Sequence, residues 1–147
     1  MEKMVHTLEE FNAEAVRFVE TLVPKSSGAT LVTLSGNLGA GKTAFVKAAA
    51  ASLGVSGVVT SPTFVLEKIY ALPESVSFKR LVHIDAYRLE SGTELPPLGF
   101  DEIMKDPPTL VFLEWPEKVA DALPKPAAAI SITATDDSRK ISYGAQT

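Results

Sequence analysis

The chain reads Gly36-Asn37-Leu38-Gly39-Ala40-Gly41-Lys42-Thr43 from residue 36 to residue 43, which matches the pattern G-x-x-x-x-G-K-[ST]. The apolar run at residues 29–35 comes directly before this loop and predicts a strand that is buried on both faces and central in a sheet. The alanine-rich run at residues 43–53 follows and predicts a helix that packs closely on its neighbours. A strand, a glycine-rich loop and a helix in this order form the context that the pattern requires. We therefore expect an α/β fold organised around this loop.

The chemistry of the loop follows from its backbone. Glycines permit positive φ angles that turn N–H groups inward, and the first turn of the next helix adds unpaired N–H groups and a positive dipole end. We expect this concavity to bind nucleotide phosphates, with Lys42 reaching the β- and γ-phosphates and the Thr43 hydroxyl ligating Mg²⁺. The predicted nucleotide-binding residues of the loop are Asn37, Leu38, Gly39, Ala40, Gly41, Lys42, Thr43 and Ala44.

Two acidic residues follow apolar, strand-like runs. Asp85 lies in the run at residues 80–89, and Glu114 lies near the end of the run at residues 109–115. In open α/β sheets, phosphate ligands bind at the carboxyl ends of the strands, where an acid can hold Mg²⁺ directly or through water. We predict that both carboxylates are metal ligands and catalytic residues together with Lys42. Glu114 is the preferred group for orienting or deprotonating the attacking water, although the sequence leaves the division of roles between the two acids open.

Two further features admit two interpretations each. By strand alternation His83 shares a face with Asp85, and it is either a buried polar residue bonded to a neighbour or a residue of the site. Residues 58–70 begin and end like a strand, and Pro62 fixes a bend that presents the hydroxyls of residues 60, 61 and 63. Composition alone favours an ordinary strand-entry turn there over a switch-like segment above the γ-phosphate.

The remaining elements complete one predicted domain that spans residues 1–147. A capping-box pattern at Thr7 and Glu10 starts an amphipathic helix that runs to Leu22. Further predictions are a turn and short helix at 91–105, a short helix at 116–123, and a terminal β-hairpin from 127–135 and 139–144. The predicted fold is a P-loop NTPase-like α/β domain, with a mostly parallel central sheet flanked by helices and a C-terminal antiparallel β-hairpin.

Composition excludes several classes of function. The chain has 147 residues, of which 46% are hydrophobic and 22% charged, as in compact globular proteins. It has no cysteine, which excludes disulfides, thiolate zinc sites and thiol catalysis. The net charge of -4 argues against a broad direct grip on nucleic acid. No signal peptide or membrane span is visible, so we expect a cytoplasmic protein that does not associate with membranes.

Three rival functions fit the same loop less well. A small-molecule kinase usually carries an arginine-rich lid, whereas the four arginines here form no cluster. A GTPase would need an N-K-x-D-type guanine reader, which is missing. A nucleotide sensor or assembly subunit that does not hydrolyse ATP stays open. Because no arginine lies in the loop, a charge-stabilising arginine has to come from a partner, and we predict weak hydrolysis by the chain alone.

The motifs together resemble one known family. They are residues 36–43, Thr60-Ser61-Pro62-Thr63-Phe64, the stretch His83-Ile84-Asp85-Ala86-Tyr87-Arg88-Leu89, residues 95–99, and Leu113-Glu114-Trp115-Pro116-Glu117. In this order they closely resemble the TsaE (YjeE) family, small bacterial P-loop ATPases of tRNA threonylcarbamoyladenosine biosynthesis. The phosphate loop is widespread, but the S-P-T-F, H-x-D-x-Y-R and E-W-P-E elements together are specific to this family. The departure at Pro96-Pro97, where the family has a more acidic stretch, is small.

The resemblance implies an ATPase that uses ATP and Mg²⁺ and works with the proteins TsaD and TsaB, meeting tRNA only through their complex. It implies that the ATP cycle resets or regulates that complex and that another subunit transfers the threonylcarbamoyl group. It also implies that Thr60 and Thr63 belong to a switch-like segment, which reverses the preference drawn from composition. By the same resemblance Asp85 and Glu114 serve the metal and the attacking water, and Trp115 lies near the nucleotide.

Overall fold

A computed structural model describes residues 2–55 and 67–145, and every strand in these ranges belongs to one sheet. The strands are β1 (Glu2–Val5), β2 (Thr30–Ser35), β3 (Glu67–Ala71), β4 (Arg80–Asp85), β5 (Thr109–Glu114), β6 (Ala128–Ala134) and β7 (Arg139–Ala145). The helices are α1 (Leu8–Glu20), α2 (Lys42–Ser52) and α3 (Phe100–Met104). Short 3-10 turns at Gly92–Glu94, Pro96–Leu98, Pro116–Lys118 and Ala120–Ala122 complete the described structure.

The sheet is mixed, which corrects the expectation of a mostly parallel one. Its strand order is β1-β7-β6-β2-β5-β4-β3. The four central strands β6, β2, β5 and β4 run parallel, whereas β1, β7 and β3 pair antiparallel with their neighbours. Strand β2 lies between β6 and β5, so the prediction that the strand before the loop is central is confirmed. The predicted terminal hairpin is confirmed as β6 and β7.

Helix α1 forms where the capping pattern predicts it. The Thr7 side chain accepts a hydrogen bond from the backbone N–H of Glu10 at 3.0 Å. The Glu10 carboxylate reaches back to the backbone N–H of His6 at 2.7 Å, one residue earlier than in the usual capping box. The helix ends at Glu20 rather than Leu22, with Thr21 as the C-cap. These contacts satisfy first-turn donors and fix how the chain enters the helix.

Both faces of the sheet are covered. Helices α1 and α2 pack on one face, where the Phe45 ring lies 6.0 Å from the Phe11 ring and 5.9 Å from the Phe18 ring between centroids. Helix α3 and the 3-10 turns cover the other face through side chains that include Leu95 and Phe100. The central strands are therefore buried on both sides, which is why their sequences are apolar without alternation.

Several predicted boundaries change. The run predicted as one strand at residues 80–89 is a strand only as far as Asp85, and the segment 116–123 forms two 3-10 turns instead of a helix. Strand β1 was not predicted. Of the predicted segment 58–70, the structure describes only the part from Glu67 onward. No helix in the described ranges is long and apolar enough to cross a membrane.

Candidate functional site

The glycine-rich loop joins the carboxyl end of β2 to the start of α2. At two of its positions the backbone requires glycine. Gly36 has a φ of 145° and Gly41 a φ of 120°. A Cβ atom on Gly36 would lie 2.4 Å from the Ile132 carbonyl oxygen, and one on Gly41 would lie 3.2 Å from the Phe11 ring. The loop is therefore held between β6 and α1 at a distance that only glycine allows.

The ammonium group of Lys42 lies inside this loop. Lys42 Nζ donates to the carbonyl oxygens of Gly36 at 2.5 Å and Asn37 at 3.0 Å. The same nitrogen lies 4.3 Å from the centroid of the Trp115 ring. Burial lowers the pKa of Lys42, and the negative charges of Glu114 and other nearby carboxylates oppose this shift. A phosphate chain in the loop would supply the anionic partners that this buried ammonium group lacks.

Glu114 is the centre of a buried polar cluster. Its exposed fraction is 2%, and the Thr43 hydroxyl lies 3.1 Å from Oε1 and 3.0 Å from Oε2. His83, which is fully buried, places Nε2 at 2.6 Å from Glu114 Oε2. Strand β5 thus delivers the carboxylate to the first turn of α2, as the apolar run ending in an acid predicts.

Asp85 and Trp115 lie at the same end of the sheet. Asp85 pairs in register with Glu114 on the adjacent parallel strand, and Asp85 Oδ1 accepts the backbone N–H of Tyr87 at 3.0 Å. Trp115 has a φ of 62°, and its ring centroid lies 5.0 Å from that of Tyr87. The left-handed backbone at Trp115 turns the indole toward Lys42. Asp85 at the end of β4 and Trp115 after β5 therefore lie at the same end of the sheet as the loop.

The donor set at this end of the sheet fits magnesium. Within residues 2–55 and 67–145 no group of three or more histidine, cysteine or acidic side chains could enclose a metal ion. Mg²⁺ does not require such an enclosure, because it keeps several waters and is usually held by one or two carboxylates and by substrate phosphates. The Thr43 hydroxyl in contact with the Glu114 carboxylate, with Asp85 on the next strand, supplies oxygen ligands of that kind.

A cavity of about 240 Å³ adjoins the loop and was not predicted from the sequence. Phe11, Gly41, Ala44 and Arg139 are among its lining residues, together with the polar side chains of the turn between β6 and β7. Arg139 Nε donates to the Ala40 carbonyl oxygen at 3.0 Å. No arginine lies within the loop itself, but the fold brings Arg139 against it from a distant strand.

Comparisons with known proteins identify relatives of this chain. The family model for threonylcarbamoyl adenosine biosynthesis protein TsaE matches residues 5–141. The chain belongs to the TsaE family. It is 33% identical to the Haemophilus influenzae tRNA threonylcarbamoyladenosine biosynthesis protein TsaE, over 89% of this chain and 80% of that protein. The TsaE protein of Bacillus subtilis is 39% identical over 78% of this chain and 69% of its own length.

Other relatives match over a smaller share. The TsaE protein of Streptomyces coelicolor is 43% identical over 63% of this chain, and the match spans 61% of that protein. The crystal structure of Bacillus subtilis YdiB superposes with a TM-score of 0.74 at 29% identity, covering 99% of this chain and 84% of that one. The resemblance to the TsaE family drawn from the motifs is thus confirmed, and the fold is that of a solved protein.

Most of the predicted residues lie close together in the structure of this TsaE-family chain. Lys42, Thr43, Asp85, Glu114 and Trp115 all lie at the carboxyl ends of the parallel strands. The predicted residues Thr60 and Thr63 lie outside the described ranges. For His83 the structure supports both interpretations at once, because the ring is fully buried and also contacts Glu114. No local sequence pattern predicts the contact of Arg139 with the loop, because this contact depends on the register of the β6–β7 hairpin.

Proposed function

We propose that this chain is a Mg²⁺-dependent ATPase that takes part in threonylcarbamoyladenosine modification of tRNA, together with the proteins TsaD and TsaB. Membership of the TsaE family supports the role in tRNA modification, because the relatives carry that description. The single observation that carries the ATPase is the contact of the Thr43 hydroxyl with the Glu114 carboxylate beside the buried Lys42 ammonium group. These are a metal ligand, an acid and a phosphate-binding cation in one place.

The first step of the proposed mechanism is phosphate binding. Lys42 Nζ exchanges its bonds to the loop carbonyl oxygens of Gly36 and Asn37 for bonds to β- and γ-phosphate oxygens. Residues 37–44 supply backbone N–H groups to the rest of the phosphate chain. The cavity lined by Phe11, Ala44 and Arg139 lies directly beside the start of α2 and has room for part of the nucleoside. Trp115 closes the opposite side above Lys42.

The second step is phosphoryl transfer to water. Thr43, Asp85 and Glu114 would hold a magnesium ion, which would supply positive charge to offset the negative charge of the phosphate oxygens. Glu114 orients a water molecule and accepts its proton as the water oxygen bonds to the γ-phosphorus and the bond to the bridging β–γ oxygen breaks. Asp85 acts chiefly as a metal ligand. Thr60 and Thr63 belong to a switch-like segment over the γ-phosphate, following the family motif.

Hydrolysis by the isolated chain is slow in this proposal. Arg139 Nε already donates to the Ala40 carbonyl oxygen, and we propose that a transition-state arginine comes from a partner. Such an arginine supplied in trans raises the rate by roughly 10³ to 10⁵. The chain acts in the cytoplasm and meets tRNA through the complex, because its net charge of -4 does not favour direct binding.

Nucleotide binding by calorimetry, with and without Mg²⁺, tests the site. Lys42→Ala should weaken ADP binding by about 30-fold or more, since it removes a buried charged partner of the phosphates. Thr43→Ala should lose the Mg²⁺-dependent gain in affinity, and Thr43→Ser, which keeps the hydroxyl, should restore most of it. Glu102→Gln removes an exposed carboxylate of α3 and is the matched control. Unchanged ADP affinity in Lys42→Ala would contradict the proposed phosphate site.

The products of ATP turnover distinguish the proposal from its rivals. Labelled γ-phosphate should appear as inorganic phosphate, and its release should fall to a small residual rate in Glu114→Ala. Transfer of the label to a metabolite would support a kinase instead. A protein that binds ATP tightly and functions normally with Glu114→Ala would be a sensor that does not hydrolyse the nucleotide.

A further inference from the structure

His83 is a fully buried imidazole that the proposed mechanism does not use. It lies on β4, which pairs with β5 on one side and β3 on the other, and its exposed fraction is 0%. Its Nε2 atom lies 2.6 Å from Glu114 Oε2, which is the shortest side-chain contact recorded for that carboxylate. Burying a polar side chain costs free energy unless it forms a hydrogen bond. The contact with Glu114 supplies that hydrogen bond for the His83 ring.

The hydrogen-bond network assigns the proton of this ring to Nε2. An ionised carboxylate only accepts, so the nitrogen that contacts Glu114 has to donate. His83 Nδ1 is buried and has no hydrogen-bond partner among the described residues. A proton on Nδ1 would therefore be an unsatisfied buried donor, which is more costly than a bare acceptor there. The ring is thus a single donor directed at one oxygen of Glu114.

The sheet register explains how the ring reaches the carboxylate. Asp85 pairs with Glu114, and His83 pairs with Phe112, one pleat closer to the start of both strands. Side chains two residues apart on a strand share a face, so His83 lies on the same face of the sheet as Glu114. It is nearer than Glu114 to the amino ends of the strands. Thr43 contacts the same carboxylate from the first turn of α2. Glu114 is consequently held by one donor from the core and one from the helix.

We propose that His83 is a positioning residue for Glu114, which it holds by the Nε2–H hydrogen bond to Oε2 while Thr43 exchanges its contact for the metal. The inference rests on the proposed function, in which the Thr43 hydroxyl turns from Glu114 to Mg²⁺. Once it turns, the bond from His83 still holds Oε2, and Oε1 is directed to the metal and the attacking water. Loss of a residue that orients a ligand in this way typically reduces activity or metal affinity by about 10-fold to 100-fold.

Kinetics of matched variants test the positioning role. His83→Leu removes the donor and keeps an apolar side chain of similar reach, and His83→Gln offers an amide N–H in place of Nε2–H. We expect His83→Leu to lower kcat by about 10-fold to 100-fold with KM for ATP changed by less than about threefold, and His83→Gln to regain most of kcat. Ile84→Val changes the opposite face of the same strand and is the control for general disturbance of β4.

A double-mutant cycle isolates the path through Glu114. In a Glu114→Ala background, His83→Leu should change kcat by less than about twofold, because the group that it positions is already absent. An equal loss of kcat in both backgrounds would overturn the proposal, since it would show a general packing effect. A wild-type rate in His83→Leu would also overturn it.

Two readouts do not depend on turnover. In the wild-type chain, ¹⁵N NMR of the imidazole should show a proton on Nε2 and none on Nδ1, and Glu114→Gln should shift the Nε2 signal. Mn²⁺ binding in the presence of ADP, followed by electron paramagnetic resonance, should weaken by about 10-fold or more in His83→Leu and recover in His83→Gln. A proton on Nδ1, or unchanged Mn²⁺ affinity, contradicts the positioning role.

These readouts separate the inference from the proposed function. If the wild-type chain binds nucleotide but does not hydrolyse it under any condition, the ATPase is wrong, while the NMR and Mn²⁺ results still decide whether His83 holds Glu114. If the wild-type chain hydrolyses ATP and His83→Leu does the same at an equal rate, the function stands and the inference fails. NMR on the wild-type chain decides the bond even where His83→Leu does not fold.

Discussion

Lys42 and Trp115 form a contact that reports on the state of the loop. The ammonium nitrogen lies 4.3 Å from the indole centroid, and a cation–π contact at a desolvated position contributes about 2 kcal/mol. The chain has one tryptophan, so its emission arises at this position alone. When Lys42 turns to a phosphate chain, the field at the indole changes.

Tryptophan fluorescence tests this movement. Titration with ADP should change the emission of Trp115 with a single binding curve, because Lys42 leaves the ring as the phosphates enter the loop. Lys42→Met should alter the emission of the free protein and abolish the response to ADP. Lys47→Met, an exposed position on the same helix, should keep it. An ADP response in Lys42→Met equal to that of the wild type would contradict the account.

The residues that could be predicted from sequence are those whose chemistry is local. Lys42 and Thr43 follow a contiguous pattern, and Glu114 follows an apolar run, so a strand and a loop are enough to place them. To predict the contact between His83 and Glu114, one must know the register of β4 against β5. The contact of Arg139 with the loop joins residues 99 positions apart in the sequence. Long-range contacts of this kind produce no pattern in the sequence around either residue.

At the scale of elements, a charged network fastens α1 to β7. Arg17 donates to Glu14 through Nε at 2.9 Å and Nη2 at 2.6 Å, and the Tyr143 hydroxyl also donates to Glu14. The hydrogen bonds from Arg17 lower the pKa of Glu14, and burial partly opposes this effect. Burial raises the pKa of Tyr143, and the bond to Glu14 adds to that shift. The network links the helix that borders the cavity to β7, the strand next to the edge strand β1.

The stability of this network should depend on pH. Because the pKa of Glu14 is lower in the folded chain than in the unfolded one, its contribution is present above the unfolded value of about 4.3 and is lost as pH falls through the folded value. Glu14→Gln should therefore lower the free energy of unfolding at pH 7 by about 1 to 3 kcal/mol, and the difference should shrink below about pH 4. Urea unfolding of both chains from pH 3 to pH 7 measures it.

The control for that series is Glu20→Gln, which removes an exposed carboxylate at the end of the same helix. Its free energy of unfolding should lie within about 0.5 kcal/mol of the wild-type value at pH 7, as is usual for surface substitutions. A pH-independent loss in Glu14→Gln would show that packing, rather than the charge of Glu14, holds α1 against β7.

Among the elements, those with strong local signals were predicted and those without were not. The start of α1 followed from its capping residues, and β2, β4 and β5 followed from their apolar runs. Strand β1 has four residues, three of them exposed, and forms only because residues 139–142 lie beside it. Pro116 begins the segment 116–123 and Pro124 follows it, and the chain between them forms 3-10 turns.

For the whole molecule, the α/β class, the position of the glycine-rich loop and the antiparallel hairpin of β6 and β7 were predicted, but the directions of β1 and β3 were not. A strand, loop and helix in sequence specify the parallel centre of the sheet, because a crossover through a helix returns the chain in the same direction. Strands β1 and β3 also pair antiparallel with their neighbours, and the pairing of β1 with β7 joins residues far apart in the sequence. The mixed sheet still brings the ends of β2, β4 and β5 together, and the site depends on that arrangement.

The central claim is that the site hydrolyses ATP and that partners accelerate it. The most direct measurement is phosphate release from ATP by the purified chain alone and then with TsaB, TsaD and tRNA, for the wild type and Glu114→Ala. We predict slow release alone, a rise on the order of 10³-fold with the complex, and loss of that rise in Glu114→Ala. Fast turnover in isolation, or tight nucleotide binding with no rise on adding the complex, would contradict this account.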